Sequence, residues 1–466
     1  MTTLSPTLYA ALHQVNLGDL EAALGHVIEA EVAGDEPSLC LATRGAIAMR
    51  RHDWTEASEL FERALALDPE NIMLHMNHGM ALFEKGDFLA SAEAFRDVIR
   101  RDYSIGSAWH KLGACYMMRQ EHPEGFACLE RAVTIDPNNP ECHHGMATLC
   151  SYLGEEEGAL HHYRRAQELQ PGYAHAQAGE AFTLLRMGRW AEGWPKFEAR
   201  WHIPSPVSPW QYKGAPLYTG DLDGLRGKRV LLRSEQGFGD SIQFARYVPL
   251  VAEIAASVVV ETQAELERLF QCLPAKIIVH RRDVVPEFDV QTSLMSLPLL
   301  FGTTPETVPP PLKYAVNMDR FVPPRTTGIC WSGGPRPEDP AAHATDQRRS
   351  LDERRFAPII QSVMGAGGNH VILQRDELRF VGVNDWQDTA DIISKLDRVV
   401  TVDTAICHLA ASLGVPTLML SRYDACWRWG MKGSDTVWYP SMKIYRQPRL
   451  GWWEPAIAAV VKDLGA

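Results

Sequence analysis

The feature that most constrains this chain is a period of 34 residues that runs without insertion from residue 4 to residue 207. "GAIAMRRHDWTEASELFERALALDP" and "GACYMMRQEHPEGFACLERAVTIDP" align at an offset of two such periods. The frame divides into units 4–37, 38–71, 72–105, 106–139, 140–173 and 174–207. Position 8 of each unit is small: Ala11, Gly45, Gly79, Gly113, Ala147 and Ala181. Position 20 is small as well: Ala23, Ala57, Ser91, Gly125, Ala159 and Gly193. Position 24 is large in every unit: Val27, Phe61, Phe95, Leu129, Tyr163 and Phe197. Position 32 is proline in three of them, Pro69, Pro137 and Pro171. Two antiparallel helices satisfy this pattern. Small residues at 8 and 20 let the helices touch, a large residue at 24 fills the gap to the next unit, and proline ends the second helix. A unit of this kind cannot bury its apolar face alone, so the pattern predicts a stacked α-solenoid over 1–205, with atypical capping units at the ends.

The pattern closely resembles the tetratricopeptide repeat. In that family, positions 2, 5, 9 and 12 face the concave groove, here Met73, Met76, Met80 and Phe83 in the third unit. The second unit contributes Leu39, Ala42, Ala46 and Met49, and the fourth Ser107, His110, Ala114 and Met117. A methionine-rich strip suits an adaptable apolar partner such as an amphipathic helix of a protein. The other reading packs these side chains against neighbouring helices. The asparagine ladder that O-GlcNAc transferases carry at position 6 is missing, since Tyr9, Thr43, Asn77, Lys111, Gly145 and Gly179 stand there.

Charge separates the two halves of the chain. Residues 1–205 hold 17 Lys+Arg against 29 Asp+Glu, and the remainder holds 29 of each. So acidic a first half excludes nucleic acid as a partner. No apolar run is long enough to span a membrane, and the N-terminus lacks a basic, apolar leader, so a cytoplasmic location is expected. Nine scattered cysteines without a CxxC pair fit reduced, buried thiols. His143, His144, His161 and His162 could in principle bind a metal, but neighbours on a helix diverge, and surface placement is the simpler expectation.

Proline and glycine crowd residues 206–227, which read as a linker. Beyond them, short β-branched runs alternate with amphipathic segments: "RVLLRS", "SVVVET", "KIIVHR", "TTGICWSG", "HVILQR", "RVVTVD" and "PTLMLS". Strands alternating with helices imply parallel sheets. The proline-rich stretch near 308–325 divides two Rossmann-like halves, 228–315 and 325–466. The fold class is therefore α + α/β.

Ligands of such sheets collect at the carboxyl ends of strands, which singles out three loops. "SEQGFGDSIQ" carries Gly237, Gly239 and then Asp240. A dinucleotide fingerprint needs a small residue where Ile242 stands, so that reading is poor. "CWSGGP" brings Ser332, Gly333 and Gly334, with Arg348 or Arg349 entering a helix beyond and Gln374 closing the next strand. An arginine fork suits a diphosphate, whereas Arg354 and Arg355 read as a solvated run. In "VVTVDTAICHLAASLGVPTLML", a strand ends at Asp403 and a helix opens at Thr404 and Ala405, which makes an anion site of its first-turn amides. His408 lies one turn in. It reads either as part of that site or as a hydrogen-bonded core histidine, and Asp403 either as a ligand group or as a simple cap.

"DTAICHLAASLGVP" and "GDSIQFARYVPL" resemble the two loops of glycosyltransferase family 9, the heptosyltransferases. With "CWSGG", "WRWG", "WYPSMKIYRQ" and the repeats, the resemblance is to bacterial repeat proteins with a family 9-like half. It implies a GT-B fold, a nucleotide-sugar donor in place of a bound cofactor, inversion at the anomeric carbon and no metal. It also implies donor binding by Gly237 and Gly239, which permit a tight turn and close approach, and by the residues of the second half, and a protein acceptor held in the repeat groove. Asp240 would then face the acceptor as general base, and its alternative role is a helix cap. An inert scaffold and a nucleotide-sugar epimerase are the competing functions.

Overall fold

The computed structural model describes residues 5–203, 217–317, 319–334, 336, 340–380 and 382–465. It forms two compact units, Met1–Ala176 and Gln177–Ala466.

The first unit is a solenoid of helical hairpins, running from Pro6–Leu17 to Glu156–Leu169. Within each hairpin the turn between the helices is set at two adjacent positions. Gly18, His52, Gly86, Gln120, Gly154 and Gly188 all have positive φ, the left-handed geometry that ends a helix. The next residue is Asp19, Asp53 or Asp87 in the first three hairpins. Each caps the second helix by accepting from the amide of Ala22, Glu56 or Ala90 at 3.0, 2.9 and 3.1 Å. Close packing explains the small residues. A Cβ on Gly45, Gly79 or Gly113 would lie 2.8, 2.9 and 2.7 Å from Phe61, Phe95 and Leu129. The large residue at position 24 thus first fills its own hairpin. Leu129 also reaches 2.9 Å from where a Cβ on Gly145, in the following hairpin, would stand.

The second unit holds two parallel sheets. The first has order β3-β2-β1-β4, from β1 (Arg229–Arg233), β2 (Ser257–Thr262), β3 (Lys276–Val279) and β4 (Val290–Ser293). The second has order β6-β5-β7-β8-β9, from β5 (Thr326–Cys330), β6 (Asn369–Ile372), β7 (Arg398–Val402), β8 (Thr417–Ser421) and β9 (Met442–Arg446). Every pairing is parallel. Seven strands coincide with the β-branched runs of the sequence. β4, "VQTS", and β9, "MKIYR", lacked that signal, because each is an edge strand with polar residues among its few apolar ones.

The sixth hairpin keeps the 34-residue register but packs elsewhere. Its helices are Ala174–Arg186 and Trp190–Phe197, and Trp190, Trp194 and Phe197 are buried in the core of the second unit. Residue 205 ends the repeat pattern, while the break in packing falls after Ala176. Of the linker at 206–227, residues 206–216 lie outside the described residues; Tyr218 beyond them donates its amide to the Gln291 carbonyl of β4 at 2.8 Å. No helix among the described residues is long and apolar enough to cross a membrane.

The glycine contacts give a paired test. Gly79→Ala should lower stability by about 1–3 kcal/mol through overpacking against Phe95. Gly25→Ala, where nothing lies within 4 Å of the new methyl, should be neutral or stabilise by up to about 1 kcal/mol. Thermal melting of both variants checks this.

Candidate functional site

In the second sheet the chain turns from β5 to β6 on one side and to β7 on the other. The loops after β5 and β7 therefore open at a topological switch point, where doubly wound sheets bind ligands. These loops are Trp331–Gly334 and Asp403–Thr404. Gln374, after β6, shapes the first of them. In the amide orientation that satisfies its neighbours it accepts from the Ser332 amide and Trp331 Nε1, both at 3.0 Å, and donates to the Ser332 carbonyl at 3.0 Å. A Cβ on Gly333 would press on the Arg349 fork, 3.0 Å from its Nη2. Gly334 is open.

The two candidate arginines part company. Arg348 is buried and donates from Nε to Asp424 at 3.1 Å. Arg349 lies against the Gly333 loop. It pairs with Asp346 at 2.6 Å, while its Nε is buried with no acceptor. A cation with an unsatisfied donor beside a glycine loop suits an anionic ligand.

Thr404 is the N-cap of helix Ala405–Ser412, but its side chain does not close the first turn. Its hydroxyl lies 3.3 Å from that of Thr401. His408 is buried, bonds Tyr439 through Nδ1 at 3.0 Å and stacks on Trp429 at 5.3 Å. Burial, aided by the charges of Arg428, Arg246 and Arg349, pushes its pKa well below the usual value, so the ring is neutral at pH 7. Asp403, Cys407 and His408 place ligand atoms within 4.8 Å of one another. Burial and then Asp403 raise the Cys407 thiol well above its usual range, and Tyr439 engages the His408 Nδ1.

The first half meets this site through helix Phe238–Phe244. Gly237 and Gly239 both keep negative φ, so the turn does not require them. Gly239 instead allows contact between helices: a Cβ there would sit 2.9 Å from the His408 ring and 3.3 Å from the Ala405 Cα. Asp240 follows. Its Oδ2 accepts from the Gly237 amide at 2.9 Å, the capping arrangement, and its Oδ1 forms an ion pair with Arg428. Arg428 also donates to Gln243 at 2.6 Å and lies 4.4 Å over the Trp427 ring. Burial works against the Arg428 charge, and Asp240 overcomes this and holds the guanidinium above its ordinary value. Neither Arg428 nor Gln243 was singled out in the sequence. The available signal was an arginine between two tryptophans on the loop after β8.

A second cluster fixes the approach to Asp240. Arg200, from the turn after the sixth hairpin, donates to Glu235 at 2.9 Å, Glu198 at 2.6 Å and Ser296 at 2.7 Å. It thereby ties together the segments that follow β1 and β4. Burial raises the Glu235 carboxyl despite Arg200.

In the solenoid, the expected groove residues divide. Met73 is 64% exposed, Met76, Met80 and Phe83 are half-buried, and His110 and Met117 are buried. Burial holds His110 neutral, with its pKa lowered to about 3. Met80 and Phe83 line a cleft of about 500 Å³ together with Leu20, Met49, Trp54 and Lys111. Of the four clustered histidines, His143 is buried rather than on the surface. It meets His162 at 3.0 Å and the Pro137 carbonyl at 3.0 Å.

Known proteins share both parts. Tetratricopeptide-repeat profiles match residues 38–71 and 76–140, and the profile of glycosyltransferase family 9 (heptosyltransferase) matches residues 379–440. Protein FlbA of Caulobacter vibrioides is 24% identical over 480 residues, 91% of this chain and 78% of that protein. Tetratricopeptide repeat-containing protein trd-1 of Caenorhabditis elegans is 23% identical over 37% of this chain and 23% of its own length. Among solved structures, a thermophilic repeat protein of Thermus thermophilus aligns with 38% of this chain and 97% of its own, at 20% identity and a TM-score of 0.34. Pseudomonas aeruginosa pilF aligns with 43% and 92%, at 15% identity and 0.38. The chain thus carries tetratricopeptide repeats in its N-terminal part and a glycosyltransferase family 9 domain in its C-terminal part.

The arginines can be told apart by experiment. Arg349→Met should weaken nucleoside diphosphate binding about tenfold and leave the fold intact. Arg348→Met leaves the buried Asp424 carboxylate with Arg422 alone, at 3.5 Å, and should cost about 1–3 kcal/mol of stability. Calorimetry and thermal melting separate the two.

Proposed function

We propose that this glycosyltransferase with a repeat region is an inverting, metal-independent enzyme. It moves a sugar from a nucleotide-sugar donor to a protein acceptor chosen by the repeat groove. The observation that carries this reading is the meeting of Asp240 with the donor-side elements. Gly239 rests on the first turn of helix Ala405–Ser412, and the next residue is a carboxylate.

On this reading the donor's diphosphate lies against the amides of that first turn, the Ser332–Gly334 loop and the Arg349 fork. The acceptor hydroxyl oxygen bonds to the anomeric carbon from the opposite face. The bond from that carbon to the phosphate oxygen breaks, and its electron pair leaves with the nucleoside diphosphate. The hydroxyl proton passes to Asp240. An ionised carboxylate has about four lone-pair sites, of which the Gly237 amide and Arg428 hold two. Helix amides and arginine stabilise the departing charge in the role a metal plays elsewhere. His408, neutral and bonded to Tyr439, packs its ring against Gly239 where the two helices meet. The groove supplies acceptor selection, since Met76, Met80 and Phe83 present adaptable apolar surface beside the cleft.

Three outcomes test this. Asp240→Asn leaves the buried Arg428 without its carboxylate and should lose stability, and the folded fraction should transfer sugar at least about 100-fold more slowly; wild-type rates in a folded variant would remove Asp240 from catalysis. Nucleoside diphosphate should bind equally well with and without a chelator in calorimetry. The double variant Met76→Asp and Met80→Asp should lose transfer to the macromolecular acceptor, since each well-buried side chain contributes roughly 1.5–3 kcal/mol. Donor binding and slow donor hydrolysis should persist. A double variant that modifies its acceptor at full rate would make the groove a structural surface only.

A further inference from the structure

Arg428 comes from the donor half of the second unit, yet its charge partner lies on the acceptor half. The guanidinium pairs with Asp240, donates to Gln243 on the same helix and lies against Trp427. It is also close enough to the donor elements for its charge to act on His408, and for Asp403 to help hold that charge. Asp403 directly precedes the capping residue of helix Ala405–Ser412. Arg428 therefore pairs with the Asp240 carboxylate and also feels the Asp403 carboxylate, which leads into the first turn of that helix. The side chain is only 8% exposed, so its charge needs an anion at close range. Two neighbouring donors, Gln243 Nε2 and Trp429 Nε1, are buried without an acceptor. A surplus of donors around a buried cation points to an acceptor-rich, anionic ligand.

We propose that Arg428 is a catalytic residue that contacts the leaving diphosphate, and that Asp240 holds it in place until the donor binds. This rests on the transferase reading. Donor binding draws the guanidinium from carboxylate to phosphate. The same step releases Asp240 Oδ1, the oxygen that can take the acceptor proton. Base activation is thus tied to donor occupancy, and an acceptor arriving first meets a carboxylate already paired.

The competition has a thermodynamic signature that direct repulsion lacks. UDP, GDP, ADP, CDP and dTDP are titrated calorimetrically into the full chain, and the tightest is carried through Asp240→Asn, Arg428→Met and the double variant. Arg428→Met should weaken binding at least about tenfold. Asp240→Asn should tighten binding at least about fivefold in the wild-type background and less than about twofold once Arg428 is gone. Equal tightening in both backgrounds would mean plain repulsion between Asp240 and phosphate, and overturns the proposal. So does unchanged affinity in Arg428→Met. If thermal melting shows Arg428→Met unfolded, Arg428→Lys takes its place, with at least about threefold weaker binding expected and unchanged affinity again decisive against. Arg349→Met separates the two levels of the argument. Loss of binding there with none in the Arg428 variants sinks this inference alone, whereas no binding of any diphosphate to the wild type sinks the transferase reading with it.

Discussion

The second unit depends on one aromatic cluster. Trp190 stacks on Trp438 at 5.1 Å, Trp194 meets Trp427 edge-on at 5.4 Å, and Phe197 contacts Trp427 at 5.8 Å. Phe244, from the helix after β1, meets Trp438 at 5.8 Å and Trp427 at 6.4 Å. Three sources of chain therefore share one core: the sixth hairpin, the first sheet's helix and the loops beyond β8. Each such pair contributes about 0.5–1.5 kcal/mol beyond the area it buries. Two ligand-binding halves joined only by a linker would settle their relative position weakly. Here a third element is wedged against both. That is why Gly239 can rest on Ala405 and why an acid on one sheet can reach an arginine on the other.

The same cluster explains what the sequence hid about domain limits. The 34-residue register is visible through residue 207 because it records helix geometry, and helix geometry continues through Phe197. What a hairpin packs against is not written in its period. Trp190 and Trp194 sit one helical turn apart in the final unit, and that pair of tryptophans was a clue to a different neighbour. Solenoid units and the buried strands β1, β2, β5, β7 and β8 were legible because repetition and β-branched runs are local signals. The edge strands β4 and β9 were not, because their place is set by the neighbouring strand rather than by their own residues.

The candidate site was legible in the same uneven way. Loops could be found from glycines at strand ends, and Asp240, Gly333, Arg349 and Thr404 lie on or beside such loops. Roles within them could not. Gly239 looked like turn chemistry and is a packing residue, with ordinary backbone angles. Arg348 and Arg349 are indistinguishable in sequence, yet one faces Asp424 in the core and the other the Gly333 loop. Gln374 holds the loop from within. Arg428 was hidden because its partner is 188 residues away in the chain, and no local pattern encodes a contact of that separation.

Electrostatics gives the site its direction. Around helix Ala405–Ser412 the buried or half-buried charges of Arg246, Arg349 and Arg428 outnumber the carboxylates that meet them closely, and together with burial they keep His408 neutral. A protonated His408 would add one more buried cation and compete for the same anions. A neutral ring bonded to a tyrosine leaves the cations to act outward. Arg246 is bound to the carbonyls of Gln243, Pro309 and Trp438 at 2.8, 3.1 and 3.0 Å, and so serves the joint between the halves. Arg349 and Arg428 instead pair with carboxylates, Asp346 and Asp240. Both charges act on His408, whose ring lies against Gly239, so the two cations with carboxylate partners act where the helices of the two sheets meet.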